Sequence, residues 1–106
     1  MAIGLTPIKV INQVASSLVA KHRYMTLEEA IWNMALSSVR NKTVYYRRRI
    51  RKLEKKYGID FDHFTSRLKN QALPSEEDDW LAWRSARSIL ADWEKTYQDL
   101  LHEFPH

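Results

Sequence analysis

The amino-acid sequence predicts an all-α fold: an antiparallel hairpin of two long helices, a short elbow helix closing one end, and an N-terminal helix packed across the other. Three observations lead there. With two glycines and three prolines in 106 residues, the chain lacks the turn formers that an all-β fold consumes. Residues 26–57 run from a capping sequence to a glycine with no helix breaker between. Apolar residues recur at steps of three and four over both long segments. The length suits one domain, residues 1–106, with residues 1–24 forming the first helix and residues 26–104 the hairpin.

The first helix is expected over residues 7–23. Thr6 is placed to cap it, and Pro7 suits the first helical position, where no N–H is needed. Ile8, Ile11, Ala15, Leu18 and Val19 share a face at helical spacing. The second helix starts at the capping box Thr26-Leu27-Glu28-Glu29 and ends at Gly58, where a left-handed residue belongs. Trp32, Leu36, Val39, Thr43, Tyr46, Ile50, Leu53 and Tyr57 follow a coiled-coil spacing along it, which favours a homodimer unless the hairpin itself consumes the row. Asp60 caps the elbow helix, expected over residues 61–69, with Phe61, Phe64 and Leu68 on one face. After a linker over residues 71–74, the last helix is expected from an N-cap at Ser75 to Glu103. Glu76, Glu77, Asp78 and Asp79 in its first turn complement the helix dipole. Trp80, Trp83, Leu90, Tyr97, Leu101 and Phe104 form one apolar row on it, and Ala86, Ile89, Trp93 and Leu100 a second. An antiparallel arrangement sets the basic end of the second helix beside this acidic start.

Composition narrows the chemistry. The chain has no cysteine, which excludes disulfides, thiolate-bound zinc and thiol catalysis and suits the cytoplasm. It has no apolar run long enough for a membrane span, and the first twenty residues lack the basic start of a signal peptide. No phosphate-binding glycine loop, nucleophile elbow or H-E-x-x-H is present, so no catalytic residue is assigned and the chain is read as non-enzymatic. His102 and His106 have i, i+4 spacing, but Pro105 lies between them; neither a metal site nor a cofactor is expected.

Two features point to binding. Nine basic residues lie between Arg40 and Lys56 against the single acid Glu54, within a chain of net charge +4. Arg48, Arg51, Lys52 and Lys55 make an outward stripe, flanked by Arg47 and Arg49. This is a footprint for a nucleic-acid phosphate backbone or an acidic protein surface. The alternative is a solvated face, with cations favoured at a helix C-terminus and partly neutralised by the acids of residues 76–79. The second feature is four tryptophans, a residue type enriched at interface hot spots but also able to fill a thin core. Trp80 and Trp93 are assigned to the core; Trp32 and Trp83, with Tyr45, are assigned to a partner-binding surface.

The run from Thr26 to Leu101 resembles a known group. Its marks are T-L-E-E-A at residues 26–30, L-E-K-K-Y-G-I-D-F-D-H-F at residues 53–64, and S-E-E-D-D-W-L-A-W at residues 75–83. The order is similar to that of small prokaryotic helical-hairpin proteins encoded beside toxin-like genes and suspected to be the antitoxins of toxin–antitoxin pairs. The resemblance implies a protein-binding module that neutralises a cognate toxin by direct contact. Nucleic-acid binding through residues 40–56 is the alternative, and a structural subunit of a larger complex a further one.

Overall fold

The computed structural model describes residues 6–20 and 26–104, and all regular structure among them is helical. Four helices follow in order: α1 (Pro7–Ala20), α2 (Leu27–Tyr57), α3 (Phe61–Leu68) and α4 (Pro74–Glu103). The stretch of the expected first helix beyond Ala20 lies outside the described residues, as does the side chain of Leu18.

Each helix end has a local cause. Thr6 Oγ1 accepts from the Lys9 N–H at 3.2 Å, and Thr26 Oγ1 from the Glu29 N–H at 3.0 Å. At the end of α2 Gly58 takes φ +69°, and its N–H returns to the Glu54 carbonyl at 2.7 Å. Two residues later Asp60 Oδ1 accepts from the His63 N–H at 2.8 Å and starts α3. Asn41 and Lys42 do not interrupt α2.

The start of α4 corrects the sequence reading. The cap is Leu73, not Ser75, and Pro74 is the first helical residue. Proline's fixed φ and missing N–H suit that position, so the helix begins earlier and Ser75 falls inside it. With no hydroxyl at the cap, the contact comes from Glu76, whose Oε1 accepts from the Leu73 N–H at 3.1 Å.

The hairpin is antiparallel, and three cross-helix contacts fix its register. Trp32 meets Phe104 edge-on at 5.8 Å, Arg47 pairs with Glu94 at 3.1 Å, and Lys56 pairs with Asp79 at 2.6 Å. As numbers rise along α2 they fall along α4. The coiled-coil row of α2 is spent on this packing: Val39 and Thr43 are buried, and Trp32, Leu36, Tyr46, Ile50, Leu53 and Tyr57 are half-buried. Thr43 satisfies its hydroxyl locally, donating to the Arg40 carbonyl at 2.7 Å. Much of the row expected to favour a dimer thus packs within one chain.

The densest packing lies at the elbow. Trp83 and Phe64 are the largest fully buried side chains among the described residues, with ring centroids 5.4 Å apart. Tyr57 lies 4.2 Å from Phe64, and Phe61 5.6 Å from Trp83. Trp83 and Phe64 each contribute about 1.5–3 kcal/mol over an exposed ring, and the half-buried Tyr57 and Phe61 complete a cluster from α2, α3 and α4 that holds the turn. Trp80 lies half-buried beside them and donates its Nε1–H to Thr65 Oγ1 at 2.9 Å.

The other end is thinner. α1 packs on α2, and each helix contributes a fully buried alanine, Ala15 and Ala30. The shared apolar face expected for α1 is only partly used. Ala15 is buried and Val19 half-buried, but Ile8 is 71% exposed and Ile11 41%. Periodicity identifies residues on one side of a helix; a single neighbour covers only part of that side.

Candidate binding surfaces

Ion pairs divide the basic run into two groups. Arg47 points toward α4, where it meets Glu94. Lys56 meets Asp79, which also accepts from the Tyr57 hydroxyl. These bonds have electrostatic consequences. The Lys56 bond, then the Tyr57 bond, hold the Asp79 carboxyl below its ordinary range. The bond to Asp79 raises Lys56, and burial, followed by the same carboxylate, raises the Tyr57 hydroxyl. The acids expected to neutralise the basic run therefore do so at one point. Glu76 is engaged with Arg67 of α3 at 3.4 Å instead.

Arg48, Arg51, Lys52 and Lys55 are exposed, and among the described residues none of them has an acid within ion-pair distance. Arg49 turns sideways onto Tyr45, its guanidinium 5.6 Å from the ring centre and its Nη1 donating to the hydroxyl at 3.2 Å. Tyr46 braces the same ring edge-on at 4.9 Å. Tyr45 itself remains 52% exposed.

The residues assigned to a partner surface separate. Tyr45 is at the surface, and Trp32 is half-buried against Phe104. Trp83 is 1% exposed and lies among Tyr57, Phe61 and Phe64, so it is a core residue and presents nothing to a partner. Of the two apolar rows of α4, it is Trp83 that enters the elbow between α2 and α3. Trp80 and Trp93, assigned to the core, are half-buried.

A surface not singled out from sequence lies on α1. Val10, Ile11 and Val14 are 43%, 41% and 45% exposed, a seam beside the Ala15 stripe that meets α2. Lys9 is the one charged residue in this helix. The available signal was the β-branched set Val10, Ile11 and Val14, of which Val10 and Val14 fall outside the face shared with Ala15. A second apolar surface is a groove of about 480 Å³ between α3 and α4, lined by Thr65, Leu68, Ala72, Trp80 and Leu81 with Lys69 and Glu77 beside it.

Among the described residues no three His, Asp or Glu side chains converge as metal ligands would, and no helix is long and apolar enough to cross a membrane. His63 is exposed, its Nδ1 2.7 Å from Asp60 Oδ1. Comparison of the chain with protein-family models, with curated proteins and with solved structures finds no match.

Proposed function

We propose that the protein is a non-enzymatic, cytoplasmic binding module of the antitoxin type, which neutralises a cognate toxin by direct contact through the outer face of α1. The observation that carries this reading is the exposed seam Val10, Ile11 and Val14, together with Ile8 at 71%. An apolar stripe on a helix with one charge is a surface that another protein covers. The antitoxin assignment comes from the resemblance over residues 26–101; the seam supplies the place of contact. In the free protein the same seam offers a second copy of the chain an apolar face.

The test is co-expression with the product of the adjacent gene, followed by purification through a tag on that product. The native chain is expected to co-purify and to relieve growth arrest. A Val10→Gln, Ile11→Gln, Val14→Gln variant is expected to keep its helical circular dichroism and lose both. Native chain that purifies alone, or a folded variant that still protects, overturns the reading.

A further inference from the structure

We propose that the outward strip of α2 from Tyr45 to Lys55 binds single-stranded nucleic acid, with the four free cations on successive phosphates and the Tyr45 ring stacked on a base. This site is separate from the α1 face and does not depend on the proposed partner.

Three observations carry it. The first is alignment. Positions 45, 48, 51, 52 and 55 follow steps of three, three, one and three on one unbroken helix, so they share a stripe about 15 Å long. The four cations span seven residue steps, about 10.5 Å of rise: Arg48 and Lys55 lie at the two ends and Arg51 and Lys52 side by side between them, within side-chain reach of neighbouring phosphates of an extended strand.

The second is charge. Arg48, Arg51, Lys52 and Lys55 have no ion-pair partner among the described residues, whereas Arg47 and Lys56, at the sides of the strip, are paired with α4. A solvated cation at a helix surface can neutralise a phosphate, freeing the counterion condensed on the strand, at little structural cost. The pairing with α4 thus gives the lateral cations acidic partners and leaves the row without them.

The third is the aromatic head of the row. Arg49 lies over one face of the Tyr45 ring at 5.6 Å and Tyr46 meets it edge-on at 4.9 Å, yet 52% of the residue remains exposed. Beside it a shallow groove of about 240 Å³ opens between α2 and α4, with Ser85 and Ile89 on its far wall. A braced, exposed ring next to a row of cations is the pairing that single-strand binders use, because every base has a π-face. An acidic protein segment would satisfy the cations but has no use for the ring. A duplex would satisfy them too, but its bases are already stacked.

The test is fluorescence anisotropy of the full chain with a labelled single strand of about 15 nucleotides, as RNA and as DNA, against the duplex and a polyglutamate of matched charge. Single strands are expected to bind tightest. The slope of log K on log salt is expected near −3, as four phosphate contacts at about 0.7 each give. The Arg48→Glu, Arg51→Glu, Lys52→Glu variant is expected to lose more than tenfold in affinity and to flatten the slope to about −1 or less. Tyr45→Ala is expected to weaken binding about tenfold with the slope unchanged, and Tyr45→Phe to restore it. Should the triple variant lose its helical dichroism, the single changes Lys52→Gln and Lys55→Gln replace it, each lowering the slope by about 0.7. Absence of binding at about 50 mM salt overturns the proposal. So does equal affinity for polyglutamate, preference for the duplex, or unchanged binding by a folded variant.

Discussion

Single side chains do two kinds of work in this protein, and Asp79 shows how they meet. Its carboxylate takes bonds from Lys56 and from the Tyr57 hydroxyl, tying the last turn of α2 to the second turn of α4. Both bonds favour the charged form, so the folded chain releases its proton at a lower pH than the unfolded chain, whose aspartates titrate near about 3.9. Between those two values the unfolded state binds a proton that the folded state does not. The contribution is therefore complete above the ordinary carboxylate range and is lost as pH falls through the depressed value. Asp60, held down first by the His63 N–H, acts in the same direction. Asp79→Asn is expected to lower stability at neutral pH by about 1 kcal/mol, since the pair is partly exposed, and to reduce the loss of stability below about pH 4. Urea unfolding at a series of pH values measures both; a variant with the parent's acid slope would mean that other carboxylates carry it. The Lys56–Asp79 contact was legible in the sequence as opposite charges at the closed end of a hairpin. The Tyr57 bond and the Arg47–Glu94 pair were not, because both depend on rotation about the helix axes, which periodicity leaves open.

At the scale of the element, chain punctuation was the most legible signal. The boundaries of α2 follow from Thr26 and Gly58, because a hydroxyl cap and a left-handed residue each solve a backbone problem that few residues can solve. Gly58 allows a clean measurement. A Cβ built there meets no atom within 4 Å, so a substitution is opposed by backbone conformation alone, at φ +69°. Gly58→Ala is expected to cost about 1 kcal/mol, and Gly58→Asn less, since asparagine tolerates the left-handed region better. Equal losses for the two in thermal or urea unfolding would show that sterics rather than φ govern this corner. Ser75 was misread because serine resembles a better cap than leucine, yet Pro74 decided the start of α4 by fitting only its first position. The α1 seam and the burial of Trp83 share another cause. A wide apolar stripe reports that a helix is covered, but the choice of row depends on where the neighbouring helix crosses. The strip on α2 is the converse case: its residues were legible, while its separation from Arg47 and Lys56 required the register.

The whole molecule is long and thin, and this shapes how its stability is distributed. The radius of gyration is 19.7 Å, against about 13 Å for a compact chain of this size. The principal extents are 59 × 39 × 20 Å, so much of the hairpin is only two helices thick. A two-helix layer buries one stripe per helix, which explains why most of the α2 and α4 row residues are half-buried rather than enclosed. The fully buried large rings lie where a third element crosses, Phe64 of α3 against Trp83, and α1 packs on α2, where Ala15 and Ala30 are both fully buried. The two crossings are unequal. The elbow joins four rings from three helices, whereas α1 contributes a buried alanine and a half-buried valine. Local opening tracks the apolar contact that must be broken, so α1 lies at the low-stability end of the fold and the elbow at the high end. Native-state hydrogen exchange followed by mass spectrometry is expected to give the slowest amides in the peptides around Tyr57 and Trp83, and faster exchange over Pro7–Ala20. Covering the α1 seam with a partner removes exposed apolar surface and should slow that helix selectively, while the elbow, already closed, stays as it was. Uniform protection over α1 and the hairpin in the free chain would show instead that the first helix is already covered in solution.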